Sequence, residues 1–191
     1  MKRFYFFIVL FLIIINSCAQ IQSRDTTADA IVFFDQGEEY AEQGDYSRAI
    51  NAFTQAIRLN PNYTWAYIQR GQIYLFLRSY DNAITDFSDA IRTNPNERWG
   101  YYYRARTYSA MQNLERSIED SSQAIRIDPT FTEAYRIRAN MYYSMGVKTR
   151  TNDNVWFDRA LNDYGIILRL VPNDPFSTRM IDTIINTRGW R

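Results

Sequence analysis

A 34-residue period runs through most of this chain of 191 residues. Three kinds of position recur at that step: a small residue, a tyrosine and a closing proline. They are Gly37, Gly71, Ala105 and Ala139; Tyr40, Tyr74, Tyr108 and Tyr142; and Pro61, Pro95 and Pro129. A period of about 20–50 residues is typical of repeat proteins, in which each unit buries its apolar face against the next unit. The period therefore predicts a stack of similar units instead of one globular core.

Each unit reads as two amphipathic helices. Their apolar or small residues recur with the i, i+4, i+7 spacing of a helix that packs on one side. In the first unit these positions are Phe33, Gly37 and Tyr40 in one helix and Ala49, Phe53 and Ala56 in the other. Gly44 suits the turn between the two helices. Pro61 lacks an N–H and cannot continue a helix, so it closes the unit.

The order of these residues resembles the tetratricopeptide repeat (TPR) signature, in which an aromatic, a small residue and a tyrosine are followed by alanine, a large residue and proline. The resemblance covers residues 30–172, in four units: 30–63, 64–97, 98–131 and 132–172. The chain departs from the pattern before the small residue, where it has glutamine or arginine instead of leucine. The resemblance implies an all-α TPR α-solenoid of about four helix pairs, which is an interaction module and not an enzyme.

The fourth unit contains a nine-residue insertion, because its second helix falls late, at Ala160, Tyr164 and Ile167. Most of the insertion falls in residues 147–154, which are mostly polar and predict a longer surface loop that begins at Gly146. Such a loop either carries function on one face of the array or is a neutral insertion. The sequence leaves both interpretations open.

A final amphipathic segment follows Pro172. Residues 173–191 predict a capping helix, because the last apolar face of a repeat array must be covered. Its apolar side is formed by Phe176, Met180, Ile181, Ile184 and Ile185.

The beginning of the chain resembles a bacterial lipoprotein signal peptide. Lys2 and Arg3 precede an apolar run of twelve residues, Phe4–Ile15. That run is shorter than the roughly 20 residues that span a bilayer, which favours a signal-peptide core over a membrane helix. The run leads through Asn and Ser to Cys18, an order similar to the lipobox.

This second resemblance implies that residues 1–17 are removed and that Cys18 carries acyl chains such as palmitate. Two chains are enough for stable anchoring. Residues 18–29 are then the lipidated cysteine and a polar tether, in the bacterial cell envelope, and Ala19 favours the outer membrane over the inner one. The alternatives are an ordinary secretory signal with a chance cysteine and an uncleaved anchor.

Composition argues against most enzymes and against nucleic-acid binding. The chain has no histidine and one cysteine, so the commonest general base and metal ligand is missing and an internal disulfide cannot form. Its 22 basic and 21 acidic residues nearly balance, whereas nucleic-acid-binding proteins concentrate positive charge on one face. We therefore expect no enzyme activity, no cofactor, no metal and no nucleic-acid partner.

A charged pair follows the repeat in the last three units. Arginine precedes the small residue of the first helix, and aspartate precedes the large residue of the second. The predicted ion pairs are Arg70–Asp86, Arg104–Asp120 and Arg138–Asp163. The first unit has Gln36 and Ala52 instead, so both positions change together. Arginine suits a bidentate contact with a carboxylate, and we expect structural pairs; the alternative is a row of arginines that faces a ligand.

By the TPR resemblance, the first helices of the units line a concave groove that binds a partner. The candidate residues are Phe34, Trp65, Ile68, Trp99, Tyr102, Arg106, Arg136, Asn140 and Tyr143. This groove is aromatic in its first three units and polar toward the fourth, and exposed aromatic patches tend to mark binding sites. The alternatives are that the aromatic residues pack on neighbouring helices, lie under the C-terminal helix, or form a dimer interface.

Two functions fit these features. The first is a lipid-anchored TPR scaffold that binds an envelope or periplasmic protein, as a peptide segment or a helix in the groove. The second is a small-molecule-binding accessory lipoprotein of a solute transporter, which calls for an enclosed aromatic pocket near Trp99 and Tyr102. The sequence leaves the oligomeric state open.

Overall fold

The described residues of the computed structural model, 27–149 and 154–189, form helices joined by short turns. The helices are α1 (27–42), α2 (Tyr46–Leu59), α3 (Thr64–Phe76), α4 (Tyr80–Thr93), α5 (Arg98–Ala110), α6 (Leu114–Ile127), α7 (Thr132–Thr149), α8 (Val155–Leu170) and α9 (Pro175–Gly189). No strand occurs in these residues. The all-α solenoid of four helix pairs and a capping helix is confirmed.

Successive helices pack as antiparallel pairs, and the pairs stack in chain order. The first helices of the units also contact one another, α3 with α5 and α5 with α7. They therefore lie together on the inner, concave side of the array, which is where a groove must be sought.

The turn inside each of the first three units uses the left-handed backbone conformation. Gly44, Arg78 and Gln112 lie 34 residues apart and have φ values of 76°, 58° and 58°. At this position the chain reverses, and the amides of the left-handed residue and of the residue after it bond back to the end of the first helix. For example, Arg78 donates to the carbonyl of Leu75 at 3.0 Å and Ser79 donates to the carbonyl of Tyr74 at 2.8 Å. Arginine and glutamine accept this conformation at a cost of about 1–2 kcal/mol. In the sequence, only Gly44 indicated a left-handed turn.

Glycine is required where the paired helices come closest. A Cβ added to Gly37 would lie 2.6 Å from the ring of Phe53, and one added to Gly71 would lie 2.7 Å from Phe87. Both rings are fully buried. In the third unit the small position is Ala105 and the ring is replaced by Ser121, so the two positions change size together.

The fourth unit differs from the predicted surface loop. Gly146 occupies the position of the left-handed turn, but it is helical and buried, and α7 continues to Thr149. Residues 147–149 are therefore helix, not loop. The physical reason is a second close approach, since a Cβ on Gly146 would lie 2.8 Å from Phe157 of α8. The insertion thus lengthens both helices of the pair, and residues 150–153 lie outside the described part.

The capping helix α9 covers α8. Ile184 is fully buried in the same apolar cluster as Tyr164 and Phe157, and Met180 and Ile181 pack against that cluster. The rest of the predicted apolar side stays open to solvent, at Phe176 and Ile185.

The N-terminal predictions fall mostly outside the described residues. The signal segment 1–17, Cys18 and most of the tether lie there. The last residues of the tether, 27–29, are exposed and form the first turn of α1, just before the buried Ala30. In the part of the chain that the structure describes, no helix is both long enough and apolar enough to cross a membrane.

Candidate functional site

The structure contains all three ion pairs that the repeat pattern predicts. Each arginine donates from Nε and Nη2 to both oxygens of its aspartate, at 2.7–2.9 Å in every pair. The aspartates are almost fully buried, with side-chain exposures of 3%, 7% and 1% for Asp86, Asp120 and Asp163. Bidentate geometry of this kind fixes the angle between the two helices of a unit.

A hydroxyl group of the preceding unit binds the remaining nitrogen of each arginine. Nη1 donates to Thr54 Oγ1 at 2.8 Å, to Ser88 Oγ at 3.0 Å and to Ser122 Oγ at 3.1 Å. These three hydroxyls lie 34 residues apart on α2, α4 and α6. We call each Arg–Asp–hydroxyl set a staple, because it joins the second helices of two successive units through the first helix between them.

The staples contradict the alternative of an arginine row that faces a ligand, because all three nitrogens of each guanidinium are in use. Hydrogen bonds from Arg104 to Asp120 raise the pKa of that guanidinium, so it stays charged. Burial raises the pKa of the Asp120 carboxyl, and the bonds from Arg104 oppose that shift.

One row of predicted groove residues is used to pack successive units together. Each member contacts the region where the first helix of the next unit begins. Phe34 stacks on Tyr63 (ring centroids 4.9 Å apart), Ile68 is fully buried beside Trp99, Tyr102 meets Phe131 (5.2 Å), and Arg136 donates to Asp174 (3.2 Å). The row is therefore not an open binding surface. Ile68, with no exposed area, is wrong as a partner-binding residue.

The two tryptophans have different surroundings. Trp65 is 42% exposed. Trp99 is half-buried, with its ring packed edge-on against Tyr102 (5.5 Å) and Phe131 (4.9 Å) and stacked on Tyr103 (5.7 Å). Trp99 and Tyr102 therefore fit the alternative in which the aromatic residues pack on neighbouring helices, and they do not form an exposed patch.

At the fourth unit the predicted groove residues are engaged within the chain. Asn140 accepts a hydrogen bond from the hydroxyl of the buried Tyr164 at 2.6 Å. Tyr143 packs on Phe157, with ring centroids 5.9 Å apart. Both of these groove residues are therefore engaged by α8.

Two neighbouring pockets open on the concave side of the first three units. The acidic pocket, of about 330 Å³, lies between α1 and α3 and is lined by Glu38, Glu42, Tyr46, Phe53, Ile73 and Phe76. The basic pocket, of about 570 Å³, lies between α3 and α5 and is lined by Leu75, Phe76, Arg78, Tyr80, Arg106 and Ala110. Gln72 lines both. Of the nine candidate binding residues named from the sequence, Arg106 alone lines one of these two pockets.

The sequence analysis missed Phe76, which is 66% exposed and forms the wall between the two pockets. The sequence does contain an indication that this residue is unusual. It is the last residue of α3, next to Leu75, where the equivalent residues of the other three units are Glu42, Ala110 and Ser144. A large aromatic residue at a position that is otherwise polar or small could have been noticed.

The described residues contain no cluster of side chains suited to a metal ion. Across 27–149 and 154–189, no three His, Cys, Asp or Glu side chains lie close enough to hold a metal ion. What the pockets provide is shape, apolar surface and charge.

The ion pair between Arg136 of α7 and Asp174, the residue before α9, predicts a pH dependence of stability. Hydrogen bonding from Ser177, together with Arg136, lowers the pKa of Asp174 from 3.8 to about 2. A depressed carboxyl pKa stabilises the fold above the unfolded value, and this stability is lost as the pH falls from there through about 2. In urea unfolding across that range, Asp174→Asn should lose less stability than the wild type. The exposed Asp182 on the same helix provides the control, since Asp182→Asn should follow the wild-type curve; equal slopes for all three chains would contradict the prediction.

Family models match three stretches of the chain. A TPR repeat model matches residues 37–76, and a tetratricopeptide repeat model matches residues 66–97 and 100–131. No curated protein matches the chain by sequence.

Solved structures share the fold at low sequence identity. The crystal structure of the MamA protein has a TM-score of 0.74 at 19% identity, covering 84% of this chain and 83% of that one. YrrB, described as a TPR protein with an unusual peptide-binding site, has a TM-score of 0.69 at 16% identity, covering 85% and 79%. The first TPR of Spaghetti (RPAP3), bound to an HSP90 peptide, has a TM-score of 0.61 at 23% identity, covering 63% and 95%. Likeness at this level of identity extends to the fold alone.

Proposed function

Because the chain contains tetratricopeptide repeats stacked as an all-α solenoid, we propose that it is a lipid-anchored scaffold that binds a segment of another protein in its concave groove. The observation that carries this proposal is the pair of adjoining pockets with the exposed ring of Phe76 between them. Apolar surface that lies next to a concave pocket lined by a few charged groups is a common feature of binding sites. The activity proposed is binding, without catalysis and without a cofactor.

Two of the similar structures support a peptide or protein as the partner. Their descriptions mention a bound peptide in one and a peptide-binding site in the other. The pockets of this chain run along α1, α3 and α5, so an extended or helical segment can lie across three units at once. A segment bound in this way would contact several units, so its interface would be long although neither pocket encloses it.

The anchor and the location belong to the same proposal. The motif that ends in Cys18 supports lipidation, which would hold the array at the bacterial cell envelope, with the outer membrane favoured by Ala19. The partner is then an envelope or periplasmic protein. Cell growth with an alkyne-bearing palmitate analogue tests the anchor: the wild-type chain should be labelled and Cys18→Ala should not. An unlabelled wild-type chain would remove the anchor from the proposal.

The small-molecule alternative gains no support from the geometry. It called for an enclosed aromatic pocket near Trp99 and Tyr102. These rings pack against Tyr103 and Phe131 and line neither of the two pockets.

The groove is tested by site-specific photo-cross-linking in native membranes. A photoreactive phenylalanine analogue replaces Phe76 in one chain and the exposed Arg126 of α6 in a matched control. We expect one envelope protein to cross-link from position 76 and not from position 126. The same set of products from both positions would mean that the groove is not the binding site.

A further inference from the structure

The acidic pocket fits a long side chain that carries a positive charge. Its floor and walls are apolar: Phe53, Ile73, Tyr46 and Phe76. Phe53 and Ile73 are buried, and the rings of Tyr46 and Phe76 are 4.9 Å apart. Glu38 and Glu42 stand at its edge. Lysine and arginine bury their aliphatic stems against apolar surface and keep the charged head at the rim, which is the combination that this pocket offers.

The glutamates of the acidic pocket are available to such a head group. Glu38 accepts a hydrogen bond from the amide of Gln69 at 2.9 Å, and this partner is neutral. Within residues 27–149 and 154–189, neither Glu38 nor Glu42 forms an ion pair.

The basic pocket has the opposite charge and a similar apolar lining. Leu75, Tyr80 and Ala110 line it, and Arg78 and Arg106 supply two guanidinium groups. Both arginines are exposed, and neither pairs with a carboxylate in the described part of the chain. They differ in this from the three arginines of the staples. An arginine fork binds a carboxylate in bidentate geometry.

The two pockets adjoin each other, since Gln72 and Phe76 line both. Building on the function proposed above, we propose that the groove selects a peptide segment of a partner protein that carries a basic and an acidic side chain on either side of an apolar one. The basic side chain enters the acidic pocket, the apolar side chain packs on Phe76, and the acidic side chain meets Arg78 and Arg106. A uniformly charged segment would place one of its charges against a like charge, which costs affinity and gives selectivity.

Synthetic peptides test this selectivity on the full chain, purified in mild detergent. All peptides are acetylated, amidated and fluorescently labelled, with a central phenylalanine and two flanking positions in a series of spacings. The flanking pair is Arg and Glu, two Arg, two Glu or two Gln. At the best spacing, we expect the Arg and Glu peptide to bind about tenfold more tightly than the Gln peptide, as two partly exposed ion pairs allow, and more tightly than either uniformly charged peptide.

A charge reversal then changes the order of preference. With Arg78→Glu and Arg106→Glu combined, both charges of the basic pocket are reversed and the peptide with two Arg should become the tightest, whereas Arg126→Glu on the outer face should keep the wild-type order. Unchanged circular dichroism and thermal unfolding of both variants would show that folding is intact. Equal binding of the four peptides, no binding of any at millimolar concentration, or an unchanged order in the variant with both Arg78→Glu and Arg106→Glu would overturn the proposal.

The two proposals can fail separately. If a partner cross-links from position 76 but the cross-linked segment lacks either a basic or an acidic residue, the groove still binds a protein and the charge selectivity is wrong. If no partner cross-links from position 76, the proposed function itself fails.

Discussion

Replacing Arg138 by methionine should lower the free energy of unfolding by about 3–5 kcal/mol, the usual cost of removing one partner of a buried ion pair. Asp163 has a side-chain exposure of 1%, and Arg138 supplies both of its charged hydrogen bonds. Without the guanidinium, the carboxylate is buried with no compensating charge. Urea unfolding followed by circular dichroism measures the loss.

A second variant separates the missing charge from the missing contacts. In the double variant Arg138→Met/Asp163→Leu the uncompensated carboxylate is gone as well, so much of the lost stability should return. The exposed pair Arg92–Asp89, in which Arg92 has a side-chain exposure of 60%, provides the matched control, and Arg92→Met should change stability by less than about 1 kcal/mol. A double variant that is less stable than Arg138→Met would show that the aspartate stabilises the fold even without its arginine, and the proposed cost of the unpaired carboxylate would be wrong.

Truncation of Phe87 to alanine should be about as damaging, at roughly 3–5 kcal/mol. The ring has no exposed area, fills the space left by Gly71 and stacks on Tyr103 with centroids 5.6 Å apart. Its removal leaves a cavity between three helices that the rigid array cannot close. Thermal and urea unfolding both report the change.

Phe76→Ala is the matched control for this second prediction. The same truncation at a ring that is 66% exposed should change stability by less than about 0.5 kcal/mol, while it weakens peptide binding. A loss of stability similar to that of Phe87→Ala would mean that Phe76 is part of the core, and the groove would need to be placed elsewhere.

Features that repeat every 34 residues could be predicted well from the sequence. A position that is small in one unit and again in the next must face the same neighbour, so Gly37 and Gly71 identified the close helix contacts. The ion pairs followed from a different signal, the joint change of Gln36 and Ala52 in the unit that lacks them. The hydroxyls of the staples were equally periodic, at Thr54, Ser88 and Ser122, and could have been found by the same reasoning.

Features that depend on how one unit sits on the next could not be predicted in this way. Helical spacing places Ile68 and Tyr102 on the inner face of their helices, but the rotation between units decides whether that face is open or packed. The structure buries Ile68, packs Tyr102 on Phe131 and leaves Phe76 open. The greater length of α7 and α8 could not be predicted for a similar reason. Whether Gly146 ends a helix or packs against Phe157 depends on a tertiary contact and not on the local sequence.

The staples also determine where such a chain can grow. A copy of residues 64–97 inserted after the original would bring its own Arg70 and Asp86 and would find a hydroxyl at Ser88, so every bond would be made again. A copy of the fourth unit would not, because Gly165 stands where the hydroxyl is needed. At the other end, the first unit has Gln36 where the later units have arginine, so it needs no hydroxyl from a preceding unit. Duplication of a middle unit can therefore lengthen this array with every staple intact, whereas Gln36 and Gly165 do not allow a staple before the first unit or after the fourth.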